Sequence, residues 1–482
     1  MVSRPNSINH KPKAWIRRRV KMKNKLLLFL LSFLALQTKA QENLGFQAFL
    51  ERVKSNHPLF QKANNVGEMG RLAKRSAQGG FDPFLSGDFD NKTFDGKNYY
   101  SVLNLQVKQP LFASQYLSAG YGFSQGVYLN PEEKTPAAGL PFIGVETALG
   151  QGMFIDKRRA ELLKAKGYEK YYDAEKNRLQ NELLYQASVA YFDWIFTLKE
   201  LSLSTYFLDL ADKRFQGIKS LAEIGENAAI DSVEAFILLQ SRLLQVQSVK
   251  MDLNKVENFL LAQNWLAPNQ EFSMRGTLAV EDSLEQTYNW MKTKYLQLLA
   301  AGPQVNPEIS KYQAYQQVLE VEKKFRAEMI KPKLDVKYNF LGNSPSSNAL
   351  FNTSNYKWGV QFAMPLLLRS ARNDYKIAKL NLQNNALDLT TKRNELDLKL
   401  EVIQKNLNIL SQQLSNAEQN ARLSKQLLSA EKMKFDSGES SLFLLNTRET
   451  RWMDAELKLA EYRAKFIKGV MELIYVRGDL GY

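Results

Sequence analysis

The feature that most constrains the fold is Ser370–Asp436, an unbroken stretch that contains neither proline nor glycine. Within it, apolar residues recur every seven positions in two series offset by four, which are Leu396, Ile403, Leu410 and Ala417, and Leu400, Leu407, Leu414, Ala421 and Leu428. This is the pattern of a helix that packs along its length in a coiled coil. At about 1.5 Å per residue the helix is roughly 100 Å long. The sequence therefore predicts a rod and not a globular domain.

The N-terminal segment 1–40 is predicted to be a secretory signal peptide. Basic residues up to Lys25 precede the apolar run Leu26–Leu36, and Ala40 offers a small residue for cleavage. That run is too short to span a membrane. The segment holds ten Lys and Arg and no acidic residue, so the formal net charge of +15 falls to +5 without it. The basic balance therefore does not indicate a nucleic-acid partner.

The inventory of reactive side chains predicts neither an enzyme nor a cofactor. The chain has no cysteine and two histidines, of which His10 lies in the predicted signal peptide. Without Cys or His clusters we expect no metal site, no disulfide and no lipid anchor on an N-terminal cysteine. His57, next to Pro58, is interpreted as a helix-entry residue. Carboxylate pairs on the helices are assigned to solvated faces and ion pairs. After Ala40 no apolar run reaches the length of a membrane-spanning helix.

Two regions, 81–149 and 333–366, alternate with a period of two. The alternating segments are 103–107, 117–123, 143–149, 336–340 and 356–364, each apolar on one side and small or polar on the other. This alternation is typical of barrel strands. Region 81–149 is longer than one hairpin, so it predicts either two or four strands.

The order of elements indicates an internal duplication. The first repeat, 41–265, contains a helix, the strands 81–149, a long helix 157–224 and a return helix 231–265. A linker, 266–301, separates it from the second repeat, 302–482, which contains a helix 307–331, a hairpin 333–366, the long helix 370–436 and a return helix 442–476. Pro307 follows Pro58, and Pro332 follows Pro83, by the same 249 residues. A period this long indicates a duplication and not a solenoid repeat.

The predicted lengths indicate how the elements are arranged. In each half the two shorter helices, placed end to end, nearly match the long helix, which places the strands at one end of the rod and glycine turns at the other. Open sheet edges cannot lie in lipid, so the strands have to close into a barrel. One chain has too few strands for an open pore. Three chains would supply twelve strands, or eighteen if the first repeat contributes four.

This duplicated plan, with Gln109-Pro110-Leu111 and Met364-Pro365-Leu366 at strand exits and the turn from Gly225 to Asp231, resembles the TolC-like outer-membrane efflux family. The resemblance covers essentially the whole chain after residue 40. It implies an α+β membrane protein in which a long antiparallel coiled-coil α-helical barrel continues into a shared transmembrane β-barrel. It implies a homotrimer in the outer membrane of a Gram-negative cell, extending into the periplasm, in contact with outer-membrane lipid and without a lipid anchor.

The resemblance also implies a function. Members of this family are passive ducts that a periplasmic adaptor protein and an inner-membrane pump join into a tripartite efflux or type I secretion system. The alternative is a structural coiled-coil scaffold protein of the cell envelope. The alternating aromatic strands in both halves count against the scaffold, because a soluble coiled coil does not need them.

Candidate functional residues lie at the two glycine turns and on the strands. The turn residues Gly225, Glu226 and Asn227, and their counterparts Gly438, Glu439 and Ser440, either terminate helices or dock an adaptor. The family often carries Asp six residues after each turn glycine. Asp231 fits this pattern, either as an N-cap or in an acidic ring at the tunnel entrance, but Leu444 departs from it. Tyr338, Tyr356 and Trp358 are interpreted as aromatic residues of a membrane girdle.

Overall fold

The computed structural model describes residues 42–263, 278–280, 283–301, 305–342 and 351–481. The predicted signal peptide and most of the predicted linker before residue 283 lie outside these ranges. In the described ranges the chain forms helices α1 (Phe46–Asn56), α2 (Pro58–Gln78), α3 (Lys157–Glu223), α4 (Ala229–Gln263), α5 (Leu284–Ala300), α6 (Pro307–Glu328), α7 (Arg369–Asp436) and α8 (Leu442–Arg477). The strands are β1 (Glu42–Leu44), β2 (Phe84–Phe94), β3 (Lys97–Pro110), β4 (Gln115–Gln125), β5 (Leu140–Ala148), β6 (Leu278–Val280), β7 (Lys333–Gly342) and β8 (Phe351–Ala363).

The long helices α3 and α7 have local start and stop signals. Asp156 caps α3, because its carboxylate accepts a hydrogen bond from the Arg159 backbone N–H at 3.0 Å. Both helices end before a glycine in the left-handed conformation, with φ of 82° at Gly225 and 76° at Gly438. Glycine adopts this conformation without the steric cost of a Cβ atom, so it terminates helices efficiently. The observed bounds lie within one residue of the predicted 157–224 and 370–436.

Near the strands, four helices form a layer in the order α2, α3, α6, α7. We call this part of the rod the strand end. Ion pairs mark each contact between neighbours, which are Lys74–Glu169 (2.8 Å), Lys164–Glu322 (3.0 Å) and Arg326–Asp374 (3.2 Å). Pairs as accessible as these contribute little stability. They identify which helices are adjacent.

Toward the glycine turns, the part we call the turn end, the order of the layer becomes α4, α3, α8, α7. Lys468 of α8 pairs with Asp193 of α3 at 2.7 Å, and Arg463 of α8 pairs with Glu418 of α7 at 3.3 Å. The long helices α3 and α7 therefore run through both levels. The shorter helices α2 and α4 follow each other along α3, as α6 and α8 do between α3 and α7.

The apolar core lies midway along the rod, where α1, α3, α5, α7 and α8 meet. Its largest side chains include Trp194, Tyr191 and Phe466, each at most 1% exposed. The heptad positions of α7 pack here and toward the turn end. Ile403, Leu407, Leu414, Ala417 and Ala421 are buried, and Leu396, Leu400, Leu410 and Leu428 are half-buried. The seven-residue periodicity therefore identified the packed face of α7.

The strands form one six-stranded antiparallel sheet in the order β2-β3-β4-β5-β7-β8. The first repeat contributes four strands and the second repeat two. Pro110 ends β3, but the chain turns there into β4, whereas Pro365 leads directly into α7. The first repeat therefore carries one extra hairpin. The sheet is open, with β2 and β8 as its edges, and β1 pairs separately with β6.

Candidate functional site

The six-stranded sheet has one continuous apolar face. The register aligns Leu85 of β2 with Val107 of β3, and it aligns Tyr338 of β7 with Trp358 of β8. Following the same alignment across all strands, the face comprises Leu85, Phe89, Leu103, Leu105, Val107, Leu117, Ala119, Tyr121, Phe123, Ile143, Val145, Leu334, Val336, Tyr338, Phe340, Tyr356, Trp358, Val360 and Phe362. An exposed apolar surface of this extent marks contact with lipid or with another protein.

The three predicted girdle residues lie together on this face. The rings of Tyr338 and Tyr356 stack at a centroid distance of 5.6 Å, and Trp358 stands directly opposite Tyr338 in the register. The Trp358 side chain is 63% exposed. Among the described helices we find no stretch with the length and apolar character of a membrane span.

The opposite face of the sheet is polar. Glu146 of β5 lies between two lysines, with its carboxylate 2.9 Å from Lys108 Nζ and 3.4 Å from Lys337 Nζ. The intervening strand β4 presents small residues here, including Ser118 and Gly120, which lets the Lys108 side chain reach across to β5. One face of the sheet therefore suits an apolar environment, and the other suits water.

The sheet is fixed to the helices through the first turn of α3. Arg159 donates to the carbonyl oxygens of Gly152 at 2.6 Å and Met153 at 2.9 Å, and it also contacts the Ser114 hydroxyl in the turn between β3 and β4. The Arg158 guanidinium lies 4.2 Å from the centroid of the Tyr116 ring at the start of β4. These contacts join the turn between β3 and β4 to the helical layer.

At the first glycine turn, the chain reverses between Gly225 and α4. The backbone N–H groups of Glu226 and Asn227 donate to the Leu221 carbonyl oxygen at 2.9 and 3.3 Å. Asp231 was predicted to begin the return helix, but α4 begins two residues earlier at Ala229. Asp231 therefore lies in the first helical turn and not at the N-cap, where its carboxylate still interacts favourably with the helix dipole.

The second turn has the same geometry with different side chains. The Glu439 N–H donates to the Lys434 carbonyl at 2.8 Å, and the Ser440 hydroxyl donates to Glu431 at 2.6 Å. Ser441 caps α8 by accepting from the Leu444 N–H at 3.3 Å. Leu444 thus occupies the third position of α8, as Asp231 does in α4, and its side chain is 41% exposed. The two halves therefore present an acid and an apolar side chain at equivalent positions.

A buried polar cluster between α3, α4 and α8 was not predicted. Arg214 donates to the Glu449 carboxylate and to Asn446 Oδ1, the latter at 2.9 Å, and Asn446 donates to Glu234 at 3.2 Å. Glu449 is 0% exposed, and its Oε1 atom has no hydrogen-bond partner among the described residues. Glu449 therefore forms an ion pair, as expected of the helical carboxylates, but it is buried and does not lie on a solvated face. Sequence spacing does not reveal this, because the partners come from three separate helices.

The described residues contain no group of three or more His, Cys, Asp or Glu side chains arranged to hold a metal ion. His57 is buried and caps α2, with Nδ1 accepting from the Leu59 N–H at 3.1 Å. That contact gives it the helix-entry role expected from the sequence.

In the described residues, the six-stranded sheet and the helical layer have two unpartnered sides. The first-repeat side consists of β2, α2 and α4, and the second-repeat side consists of β8 and α7. Both helical sides carry exposed apolar stripes. On α4, Ile230, Ile237, Leu244 and Met251 recur every seven residues and are 61–69% exposed. On α7, the exposed residues include Leu380, Leu387, Leu398, Val402 and Ile409.

Comparison with solved structures gives a consistent result. The chain is similar to the CmeC outer membrane channel of Campylobacter jejuni, with 12% identity, a TM-score of 0.61, and coverage of 90% of this chain and 85% of that one. It is also similar to VceC, an outer membrane protein of Vibrio cholerae, with 11% identity, a TM-score of 0.62, and coverage of 90% and 96%. For the open state of the MtrE outer membrane channel of Neisseria gonorrhoeae the identity is 12%, the TM-score 0.63, and the coverage 90% and 89%.

In sequence, no protein-family model matches the chain, and no curated protein matches it. The structural likeness, at 11–12% identity, concerns the fold. It extends over nine-tenths of this chain. The chain therefore has the fold of outer-membrane channel proteins, which confirms at the level of the fold the resemblance predicted from its duplicated plan.

Proposed function

We propose that three copies of this chain form a channel across the outer membrane, continuous with a helical tunnel in the periplasm. The observation that carries the proposal is the location of the unpartnered edges. In the described residues, the open edges of the six-stranded sheet and of the helical layer belong to the first repeat on one side and to the second repeat on the other. A head-to-tail contact between unlike sides generates a closed ring when the rotation between copies closes.

The helical stripes support such a contact. The stripe on α4 has the seven-residue spacing of a coiled-coil seam, and it is exposed only because its chain supplies no partner for it. Helix α7 is the last helix of the layer on the opposite side. Packing α2 and α4 of one copy along α7 of the next would bury both stripes and would bring the sheet edges of the two copies together.

The sheet supports a membrane location for one end of the ring. Pairing the open sheet edges of neighbouring copies removes the unpaired backbone groups that lipid cannot satisfy. The apolar face, with Tyr338, Tyr356 and Trp358, would then face outer-membrane lipid. The face with Lys108, Glu146 and Lys337 would line a water-filled interior.

The activity that follows is passive export, in which substrates from an inner-membrane pump pass through the duct by way of an adaptor. We propose that the adaptor docks at the turn end, at Gly225–Asn227 and Gly438–Ser440. Asp231 and Leu444 would face the entrance, alternating acidic and apolar side chains around the ring. This role requires no cofactor.

Reconstitution tests the channel directly. The purified protein should run as a trimer in detergent and should conduct ions in a planar bilayer. A soluble, non-conducting dimer would instead support the coiled-coil scaffold considered above.

Crosslinking tests the docking site separately. Because the native chain has no cysteine, Glu226→Cys and Glu439→Cys each add one exposed thiol at the turn end. In the native envelope these thiols should capture one periplasmic protein, whereas Lys97→Cys at the far end of the strands should not. Capture from Lys97→Cys alone would contradict docking at the turns.

A further inference from the structure

We infer that all six strands of each chain enter one shared barrel, so that the trimer closes eighteen strands into a barrel as wide as the helical tunnel beneath it. This inference rests on the proposed trimeric channel and adds the width of the pore and the class of cargo that it admits. The alternative is a barrel of twelve strands, in which each chain contributes β4, β5, β7 and β8 and the β2–β3 hairpin stays outside the ring.

The pairing of the hairpin with the sheet supports its place in the barrel. Strand β3 pairs with β4 over ten residue pairs without a register shift, from Ser101↔Gln125 to Pro110↔Tyr116. The apolar face also continues onto the hairpin, where Leu85 is 74% exposed and Phe89 is 66% exposed. A hairpin outside the lipid would have no use for apolar side chains on the same face as its neighbours.

The junction with the helices holds the hairpin at the level of the membrane strands. The turn between β3 and β4 contacts Arg159 through Ser114, and Arg158 lies over both the Tyr116 ring and, at 5.5 Å, the Phe81 ring. Phe81 in turn stacks on Phe112 at 5.7 Å. The start and the end of the β2–β3 hairpin are thereby fixed at one place beside the first turn of α3.

The widths of the two layers provide an independent argument. At the strand end each chain contributes four helices, α2, α3, α6 and α7, to the ring. With axes about 8–10 Å apart, four helices cover an arc of roughly 32–40 Å. Six strands about 4.8 Å apart and tilted by about 40° cover roughly 38 Å, whereas four strands cover only about 25 Å. Six strands per chain therefore match the helical layer, and four would force the channel to narrow.

The match has a consequence for cargo. On the same geometry, eighteen strands give a backbone diameter of about 36 Å, compared with about 24 Å for twelve. The polar face of β4 presents small residues, Ser118, Gly120, Gly122 and Ser124, so it takes little of this width. A barrel of this size admits bulky solutes, including polypeptides with residual structure. Selection by size would then fall to the helical part of the channel.

Crosslinking across the subunit boundary tests the number of strands. Leu85 and Phe362 are each the second residue from the helical end of their strands, β2 and β8. In an eighteen-strand trimer, Leu85→Cys with Phe362→Cys should be linked between subunits by a short bis-maleimide and should give covalent trimers. The matched control, Leu117→Cys with Phe362→Cys, should give none, because Leu117 lies inside the sheet on β4.

Removing the hairpin should reverse this pattern. Deletion of Asp82–Phe112 joins two points that already lie close together, since Gln109 Nε2 donates to the Phe81 carbonyl at 2.9 Å. In this variant Leu117→Cys with Phe362→Cys should crosslink, and imaging of the trimers should give a barrel about 1.5-fold narrower. If the deletion does not fold, the two pairs in the full-length chain still decide the question. Full-length trimers in which only the Leu117 pair crosslinks would overturn the inference and leave the channel intact. A protein that does not trimerise would instead contradict the proposed function.

Discussion

His57 and Asn306 cap equivalent helices of the two repeats through the same contact. The His57 Nδ1 atom accepts from the Leu59 N–H at 3.1 Å, and the Asn306 Oδ1 atom accepts from the Glu308 N–H at 2.7 Å. A proline follows each cap at the first helical position, where its missing N–H costs no hydrogen bond. The duplication has therefore kept the capping contact while the side chain that makes it has changed.

Because histidine titrates and asparagine does not, we expect the stability contributed by the His57 cap to depend on pH, unlike that of the Asn306 cap. Burial lowers the pKa of His57 below its ordinary value of 6.5. The folded state therefore disfavours the imidazolium, and protonation of Nδ1 would remove the cap acceptor. The stability conferred by neutral His57 is complete above pH 6.5 and is lost as the pH falls. We expect His57→Asn to reduce the difference in melting temperature between pH 7.5 and pH 5.

His57→Ala is the control, because it removes the cap at every pH; it should cost about 1 kcal/mol at pH 7.5 and less at pH 5, where the native cap is already weakened. If His57→Asn leaves the pH dependence of melting unchanged, His57 does not titrate in the way proposed.

Because Arg214 and Glu449 form a buried pair, we expect substitution of Arg214 alone to lower the free energy of unfolding strongly. We expect the double substitution to cost less than the sum of the two single substitutions. Arg214→Met leaves the Glu449 carboxylate, which is 0% exposed, without its guanidinium partner. Breaking one side of a buried ion pair costs about 3–5 kcal/mol. Adding Glu449→Met should restore part of that loss, because no unpaired charge then remains at the site of the carboxylate. Melting of the three variants in detergent checks this, and additive losses would contradict it.

Glu200 predicts a stabilising substitution. Burial raises the pKa of the Glu200 carboxyl above its ordinary value, and the carboxylates of Asp252 and Glu461 raise it further. The folded state thus favours the protonated acid, so the carboxyl contributes most at low pH and its contribution is lost as the pH rises through the folded pKa. Glu200→Gln should raise the melting temperature at pH 7, by on the order of 1 °C, with the gain disappearing toward pH 4.

An exposed carboxylate with the opposite shift serves as its control. A hydrogen bond from Lys405 lowers the pKa of Glu401. Glu401→Gln therefore should not raise the melting temperature at pH 7. A gain of equal size in both variants would point to a general charge effect and not to burial of Glu200.

Substituting either turn glycine, Gly225 or Gly438, by alanine should lower the stability modestly, through backbone strain alone. A Cβ atom at Gly225 or Gly438 would meet no described atom within 4 Å, so space does not limit either position. What limits both positions is their positive φ angle, 82° at Gly225 and 76° at Gly438, which a residue with a Cβ atom adopts only with strain. Each Gly→Ala change should cost about 1–2 kcal/mol and should leave trimer assembly intact. Loss of the trimer in either variant would indicate that these turns contribute to assembly.

The sequence predicted the periodic features of this molecule better than its tertiary contacts. The heptads of α7 identified its packed face, because coiled-coil packing repeats along the helix and so appears in the sequence. The burial of Glu449 depends on Arg214 and Asn446, which reach the same point from α3 and α8. The periodicity within one helix carries no information about contacts between side chains of different helices. Likewise the alternation at 117–123 and 143–149 predicted β4 and β5, but the sequence left open whether the first repeat contributes two strands or four.

The sequence likewise predicted some features of the candidate site and missed others. The apolar alternation of β7 and β8 placed Tyr338, Tyr356 and Trp358 on one face, because side chains alternate across any strand. The exact start of α4 was two residues off, and this moved Asp231 from the cap into the first turn. The stripe of Ile230, Ile237, Leu244 and Met251 has a clear seven-residue spacing in the sequence. Its significance appears only once the structure leaves it without a partner.

Single-particle imaging of the detergent-solubilised protein, at a resolution that separates strands, tests whether three chains close through the edges of β2 and α4 against β8 and α7. We expect a threefold ring in which β8 of each copy pairs with β2 of the next and α7 packs on the exposed stripe of α4. A particle in which β2 and β8 of the same chain pair with each other, or in which these edges remain free, would contradict it.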